Sequence, residues 1–351
     1  MRLFTFILTA ATLVFAAGCG STSTGTAAKS GEPPKVVRLG YFANVTHAQA
    51  LIGVAHGDFQ QALGPVKLET KTFNAGPSVI EAIFAGELDI AYIGPSPAVN
   101  GFIKSGGEQI RIVSGACANG VAIVVSKDSN ISDISQLVGK RIATPQYGNT
   151  QDVSARHYLI HKLKARLKEN GGDTDIQPVA NADQLNLIRQ GQIDAAWSPE
   201  PWASRLVHEA GAKLLKEEKD DWEGKRFISA VVIVSSEFLA AHPQTVETFL
   251  RAHTTVTNYI NTNRDEASKR INDELQKLTG KQLKPEVLKD AMSRVEFLTD
   301  PLPESVKIFA QWSRDLGMLK ELPDLQPLFE LSNQKKIDGE QKRIDGEAAK
   351  K

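Results

Sequence analysis

Five short segments hold side chains that donate hydrogen bonds without carrying charge: Phe42–Ala48 (FANVTHA), Asn74–Ser78 (NAGPS), Gly94–Ala98 (GPSPA), Gln146–Asp152 (QYGNTQD) and Ser198–Trp202 (SPEPW). Each is rich in Gly, Pro, Asn, Ser or Thr, and each precedes a stretch with helical spacing. A helix start leaves backbone N–H groups unpaired and carries a partial positive charge. Several such starts around one crevice make a site for an anion with no formal cation. None of the five contains Lys or Arg; His47 is their one possible cation, and Arg156 sits one turn into the helix after the fourth. The hydroxyls of Thr46, Ser78, Ser96 and Thr150, with the amides of Asn44, Asn119 and Asn149, supply further donors. Taken singly, each of these is an ordinary helix cap; the expectation of a site rests on their convergence. Tyr92 and Trp202 suit either a core or a site wall. Glu200 is out of place beside an anion. It pairs with a cationic part of the ligand, with Arg156 or His47, or across a cleft as a latch, and the residues leave all three open.

Other chemistries lack their residues. The chain has two cysteines, Cys19 and Cys117, which excludes a disulfide framework and a Cys-rich metal site. There is no Ser–His–Asp spacing, no metal-binding His pair and no Gly-Lys-Ser/Thr phosphate loop. A formal charge of +0, from 41 basic and 41 acidic residues, argues against binding nucleic acid through its phosphates. The reading therefore assigns no catalytic residue, cofactor or metal.

The elements that position these loops come in two copies. "GELDIAYIGPSP" (Gly86–Pro97) and "GQIDAAWSPEP" (Gly191–Pro201) share Gly, Asp, Ala and an aromatic at matching positions, each with a Pro-x-Pro a few residues on. The match extends upstream, "FNAGPSVIEAIFA" to "VANADQLNLIRQ" and "VRLGYFANVTHAQ" to "RIATPQYGNTQDV". Apolar runs of strand length alternate with helical stretches throughout, which predicts an α/β architecture with mostly parallel sheets and binding loops at the strands' carboxyl ends. Two lobes follow: residues 35–125 with 228–332, and residues 126–227. Gly120–Ser129 and Phe227–Leu239 are read as crossover strands, with rotation near Ser126 and Ser235. The helical segment after 239 packs back on lobe 1, because its helices otherwise need a core of their own. Residues 333–351, dense in charge and repeating Ile-Asp-Gly-Glu, read as a solvated tail.

Upstream of the first lobe, Arg2 precedes an apolar stretch from Leu3 to Ala17 that is short for a membrane span and suits a secretory leader. Ala16-Ala17-Gly18-Cys19 resembles the bacterial lipobox, with Ala16 in place of the usual Leu. It implies that residues 1–18 are removed, that Cys19 carries lipid, and that the exported protein hangs from the membrane by the Ser/Thr/Gly-rich tether 19–34.

From Val36 to Ile260 the chain resembles the solute-binding proteins of ABC importers for nitrate, sulfonate and taurine. The carrying segments are "GYFANVTHAQALIGVAHGDF", "FNAGPSVIEAIFAGELDIAYIGPSPAVNGF", "GKRIATPQYGNTQDVSARHYL" and "GQIDAAWSPEPWA". The resemblance implies a two-lobed periplasmic-binding-protein fold of type II. It implies a monomer that closes on a small anionic solute and hands it to a permease driven by a cytoplasmic ATPase. It also implies ligand contact at Asn44, His47, Ser78, Ser96, Asn119, Asn149, Thr150, Glu200 and Trp202; Ala43 stands where many relatives have Pro. "GNTQDV" and "GPSPA" point to the sulfonate branch, while nitrate, bicarbonate and a thiamin-precursor pyrimidine are bound on the same scaffold. A pyrimidine-synthesising enzyme branch carries a cysteine cluster, where this chain has Cys117 alone. A sensor that presents its solute to a membrane receptor remains a further alternative.

Overall fold

The computed structural model describes residues 32–348. The leader, Cys19 and nearly all of the tether lie outside them. The first lobe begins with β1 (Val36–Phe42), α1 (Ala48–Ala55), α2 (Asp58–Leu63), β2 (Lys67–Phe73), α3 (Gly76–Phe84), β3 (Ile90–Ile93), α4 (Pro95–Lys104) and β4 (Ile110–Asn119). The second holds β5 (Val121–Val125), β6 (Arg141–Thr144), α5 (Thr150–His157), β7 (Asp175–Pro178), α6 (Asn181–Arg189), β8 (Ala195–Pro199), α7 (Trp202–Ala210) and β9 (Lys213–Glu217). The chain then returns through β10 (Ile228–Ser235), α8 (Ser236–Ala241), α9 (Pro243–Thr262), α10 (Arg264–Thr279), α11 (Pro285–Ser293), β11 (Val295–Phe297), α12 (Pro303–Asp315) and α13 (Ser332–Ala348).

The strands form two sheets, β11-β4-β10-β3-β1-β2 and β7-β6-β8-β5-β9. Successive residues of a strand face opposite sides of its sheet, and the cores divide accordingly. Ile90 and Tyr92 of β3 join Leu39, Tyr41 and Phe249 on one face, while Ala91 and Ile93 join Val79, Phe102 and Val306 on the other. In the second sheet Ala195 and Trp197 face one core and Ala196 the other. The helices after α8 do pack on lobe 1, with Phe249, Val256, Ile260 and Ile271 buried beside β1.

The doubled phrase has a structural purpose. Asp89 accepts hydrogen bonds from Arg38 at its backbone N (2.7 Å), Nε (3.0 Å) and Nη2 (2.6 Å), and Arg38 also reaches the Gly86 carbonyl. In the other lobe Asp194 accepts from Arg141 N (2.8 Å), Nε (3.0 Å) and Nη2 (2.7 Å), and Arg141 donates to the Gly191 carbonyl (2.7 Å). Gly86 and Gly191, at φ 69° and 66°, take the left-handed turn that aims those carbonyls. Each clamp ties the turn before a central strand to the strand beside it.

Three expectations need correction. The sheets are mixed, not parallel: β10 runs antiparallel to β3 and β4, and β5 antiparallel to β8 and β9. Both strands enter their sheet from the other lobe, hence from the cleft edge, and run away from it. The lobe boundary falls at Asn119–Gly120 on the way out and at Phe227 on the way back, so β5 belongs to the second lobe and residues 120–125 leave lobe 1. Asn119 and Gly120 both have positive φ, 62° and 72°, which turns the chain between sheets. Ser126 and Ser235 stand at the far ends of β5 and β10, where Ser235 caps α8 by accepting from Phe238 N (3.1 Å). Finally, residues 332–348 form a docked helix, not a solvated tail. Ile337 is 5% exposed, Gln334 donates to Thr254 Oγ1 (2.9 Å), and Arg251 pairs with Glu340 (2.6 Å). Those three positions share one helical face; Ile344, the second Ile of the repeat, is 60% exposed.

Candidate functional site

The two lobes meet at the carboxyl ends of β1, β3, β6 and β8, and a cavity of about 30 Å³ lies between them. Its wall includes Phe42 at the end of β1, Gly94 after β3, Pro145 after β6 and Pro199 at the end of β8. Helix starts supply much of the rest: Asn44, Thr46 and His47 before α1, Ala75 and Gly76 at α3, Asn149 to Gln151 at α5, and Asn181 at α6. Asn74, Pro97 and Ser229 complete it. The lobes contribute in register, since Asn44 with Asn149, Gly76 with Asn181 and Gly94 with Pro199 stand at one constant separation in sequence. That separation, followed from the doubled phrase, is the signal that would have found Asn181.

No wall residue carries a formal charge at neutral pH. His47 is buried, accepts from Phe42 N at Nδ1 (3.3 Å) and stacks on the Phe42 ring (4.3 Å between centroids). Burial pushes its pKa down to about 3, so it is a neutral imidazole. Arg156 does not reach the site; Asp152 (2.8 Å) and Glu169 (2.7 Å) take its guanidinium. Asp152 in turn accepts from Gly148 N (2.9 Å) and Thr144 Oγ1 (2.8 Å), which holds the loop before α5. Asn149 caps α5 by accepting from Asp152 N (2.9 Å). The N–H groups of Thr150 and Gln151, in the first turn, have no intrahelical acceptor. On the lobe 1 side, Pro95 and Pro97 remove two such donors from α4, leaving the Ser96 N–H and hydroxyl as its polar tip.

Three buried polar atoms here lack a partner among the described residues: Ser96 Oγ, Thr150 Oγ1 and Asn181 Oδ1. A buried polar atom left unpaired costs about 1–3 kcal/mol, so such a cluster beside a cavity marks a place for a ligand or ordered water. Thr150 also sets how close the lobes come: a Cβ on Gly94 would fall inside the contact distance of its hydroxyl.

Of the nine residues expected to touch ligand, Asn44, His47, Asn149 and Thr150 line the cavity. Ser96 stands in the turn between Gly94 and Pro97, with its orphan hydroxyl buried. Ser78 is half-buried in the first turn of α3 and outside the wall. Asn119 is a crossover residue: its N–H donates to Phe227 O (2.9 Å) and its Oδ1 accepts from Phe227 N (3.2 Å), tying the two crossings together. Trp202 donates from Nε1 to Asn44 Oδ1 (2.7 Å), a hydrogen bond between lobes. Tyr92 is a core residue, bonded to His253 Nδ1 (2.7 Å).

Glu200 is fully buried and faces neither Arg156 nor His47. Its partner is Arg294, whose Nη1 donates to Glu200 Oε1 (2.8 Å) and to Ser204 Oγ (2.7 Å). Burial raises the Glu200 carboxyl above its ordinary range, opposed by the Arg294 charge. Since Arg294 directly precedes β11 of the first sheet, this ion pair joins the two lobes, as the latch reading requires, and it lies beside the crossing, where Glu200 N donates to Gly120 O (2.8 Å). No pattern in the sequence announced Arg294, which lies beyond the segment that carried the resemblance.

Residues 30–272 match the profile of the NMT1-like family. The chain belongs to the NMT1-like family. Among its relatives, it is 26% identical over 308 residues to a putative aliphatic sulfonates-binding protein of Bacillus subtilis, spanning 86% of this chain and 85% of that one. It is 25% identical over 206 residues to the taurine-binding periplasmic protein of Escherichia coli, spanning 58% of this chain and 60% of that one. The alkanesulfonate-binding protein SsuA of Xanthomonas axonopodis, solved with MOPS bound, superposes at a TM-score of 0.68 with 22% identity, over 86% of this chain and all (100%) of that one. The periplasmic nitrate-binding protein NrtA of Synechocystis superposes at 0.69 with 14% identity, over 86% and 88%. The architecture is therefore the two-lobed periplasmic-binding-protein fold.

Proposed function

We propose that this protein is the extracytoplasmic solute-binding component of an ABC importer, closing on a small oxyanion such as an aliphatic sulfonate or taurine and delivering it to a membrane permease. The observation that carries this reading is the uncharged cavity between the lobes, walled by helix starts and flanked by the unpaired hydroxyls of Ser96 and Thr150. Neutral donors aimed by helix termini suit a solute that is ionised at all relevant pH values. The relatives that bind sulfonates and taurine lend support. No carboxylate lines the cavity, which favours a plain sulfonate over a zwitterion. The reading involves no covalent chemistry: the solute is held by Asn44, His47, Ser96, Asn149 and Thr150 and released unchanged. Asn119, Glu200 and Trp202 act on the crossing and the closure, not on the ligand, and Ser78 stands outside the wall.

The small volume of this closed form favours a second reading, a compact oxyanion such as nitrate or bicarbonate. Calorimetry with methanesulfonate, taurine, nitrate and bicarbonate separates the two. Thr150→Ala and Asn44→Ala are each expected to weaken binding of the preferred anion by about 1 kcal/mol or more through a lost donor. Unchanged affinity in the double variant overturns the site. The proposal extends to the N-terminus: Cys19 carries lipid and anchors a monomer at the cell surface. Cys19→Ser is expected to move the protein from the membrane fraction to the soluble one, and continued membrane association overturns the anchor.

A further inference from the structure

A second cavity, of about 180 Å³, opens in lobe 2 and shares no residue with the cleft. Its walls are aromatic: Tyr158, Trp197, Trp222 and, from α12, Trp312, with His157 beside them. The chain has four tryptophans, and three of them line this pocket. The rings brace one another, Trp312 against Trp222 (4.8 Å between centroids) and against His157 (4.4 Å, near-parallel at 14°), and Tyr158 against Trp197 (5.8 Å).

Two carboxylates stand in this wall: Asp221, which pairs with Lys216, and Glu218, which is 2% exposed. Glu218 accepts from Trp197 Nε1 (2.6 Å), Ser154 Oγ (2.7 Å) and, at longer range, Trp222 Nε1 (3.4 Å). All three donors are neutral, and among the described residues no Lys or Arg pairs with it. The nearby lysines are engaged or exposed: Lys216 pairs with Asp221, Lys219 with Glu217, and Lys162 lies at the exposed rim. A buried carboxylate without a cation is costly, and burial pushes the Glu218 pKa up to about 7. The fold bears this cost at a cavity, where a ligand can reach the group. Aromatic faces and a carboxylate both attract positive charge, and both disfavour an anion. The lining also lacks a His/Cys/Asp/Glu group able to hold a metal ion among the described residues. What fits is a cation with an apolar skin.

We propose that this pocket is a second ligand site, taking a small organic ammonium ion whose charge is met by the Glu218 carboxylate and whose methyl or methylene groups pack on Trp197, Trp222 and Trp312. The site is independent of which anion the cleft holds. Because Trp312 comes from α12 and the other walls from lobe 2, the ion touches two separately positioned parts of the chain.

The test uses the mature protein and two probes, tetramethylammonium and choline chlorides, with sodium chloride at matched ionic strength as control. Tryptophan fluorescence and calorimetry are expected to give a saturable response to the ammonium salts and none to sodium. Glu218→Gln keeps the side-chain shape and is expected to weaken binding at least about tenfold. Trp312→Leu keeps apolar volume, removes the ring and is expected to weaken it similarly. Both variants should retain anion binding in the cleft, which shows that they fold. Absence of a saturable response in the unsubstituted protein overturns the proposal, as does full cation affinity in folded Glu218→Gln. Binding of both ammonium ions and sodium alike identifies ionic screening and also overturns it.

Discussion

Thr150 holds two positions at once: it opens α5, and its hydroxyl abuts Gly94 from the opposite lobe. Gly94 has φ −70°, so its lack of a side chain answers to this approach and not to backbone conformation. Gly94→Ala is accordingly expected to hold the lobes apart, lowering anion affinity about tenfold or more while leaving the ligand-free melting temperature within a few degrees. Adding Thr150→Ala removes the clashing oxygen and is expected to restore part of the closure; calorimetry on the single and double variants reads the coupling. Full affinity in Gly94→Ala would show that the lobes need not come this close. The polar residues of the site were readable as a set from their loops. What each one does was not, because Asn44, Asn119 and Asn149 are the same residue type in three different jobs: partner to a tryptophan, tie between crossings, and helix cap.

Among the elements, the repeated strand–turn unit was legible and its cause was not. Gly, Asp and the aromatic residue stood out as a pair of phrases, but Arg38 and Arg141 lie about fifty residues upstream of their aspartates, and no local pattern joins them. Asp89 is nearly buried and receives a backbone N–H as well as the guanidinium. Asp89→Ala is expected to destabilise lobe 1 by about 1–3 kcal/mol, chiefly through the N–H left unpaired. Thermal or urea unfolding reads it. Asp194→Ala should cost less, since that side chain is more exposed; equal or reversed losses would contradict this account. Strand direction was misjudged at β5 and β10 for a related reason. An apolar run reports burial, not which way the chain entered the sheet, and Gly120–Ser129 and Phe227–Leu239 were legible as strands without their direction. The docking of α13 offers one buried apolar side chain, Ile337, beside polar ties at Gln334 and Glu340, too little apolar signal against a background of charge.

At the scale of the molecule, several polar contacts join the lobes besides the cavity itself, among them Trp202 to Asn44, Glu200 to Arg294, His208 to Asp290 and Glu209 to Lys281. In the Glu200–Arg294 pair Glu200 is fully buried and Arg294 is 11% exposed, and removing the arginine leaves the buried carboxylate uncompensated, at up to about 3–5 kcal/mol. Arg294→Ala is therefore expected to shift the ligand-free protein toward an open form. A larger radius of gyration in small-angle scattering and weaker anion binding are the expected readouts; an unchanged radius would mean that the pair serves only local packing. α12 lies between the lobes, with Val306 and Ala310 in a lobe 1 core and Phe309 in a lobe 2 core. It adjoins the Asn119–Phe227 tie, since Ser305 accepts from Ile228 N (3.0 Å). Rotation thus pivots near this shared apolar strip and breaks polar contacts between the lobes such as Trp202 to Asn44.

The cavity of about 30 Å³ has a kinetic corollary. A space for little more than two or three waters is too tight for a larger anion to slip through while the lobes stay together. Escape of a trapped solute then waits on the lobes parting, so its dissociation rate should be the same for anions of quite different intrinsic grip. A docked permease that pries the latch apart would speed unloading without touching a single group that holds the cargo.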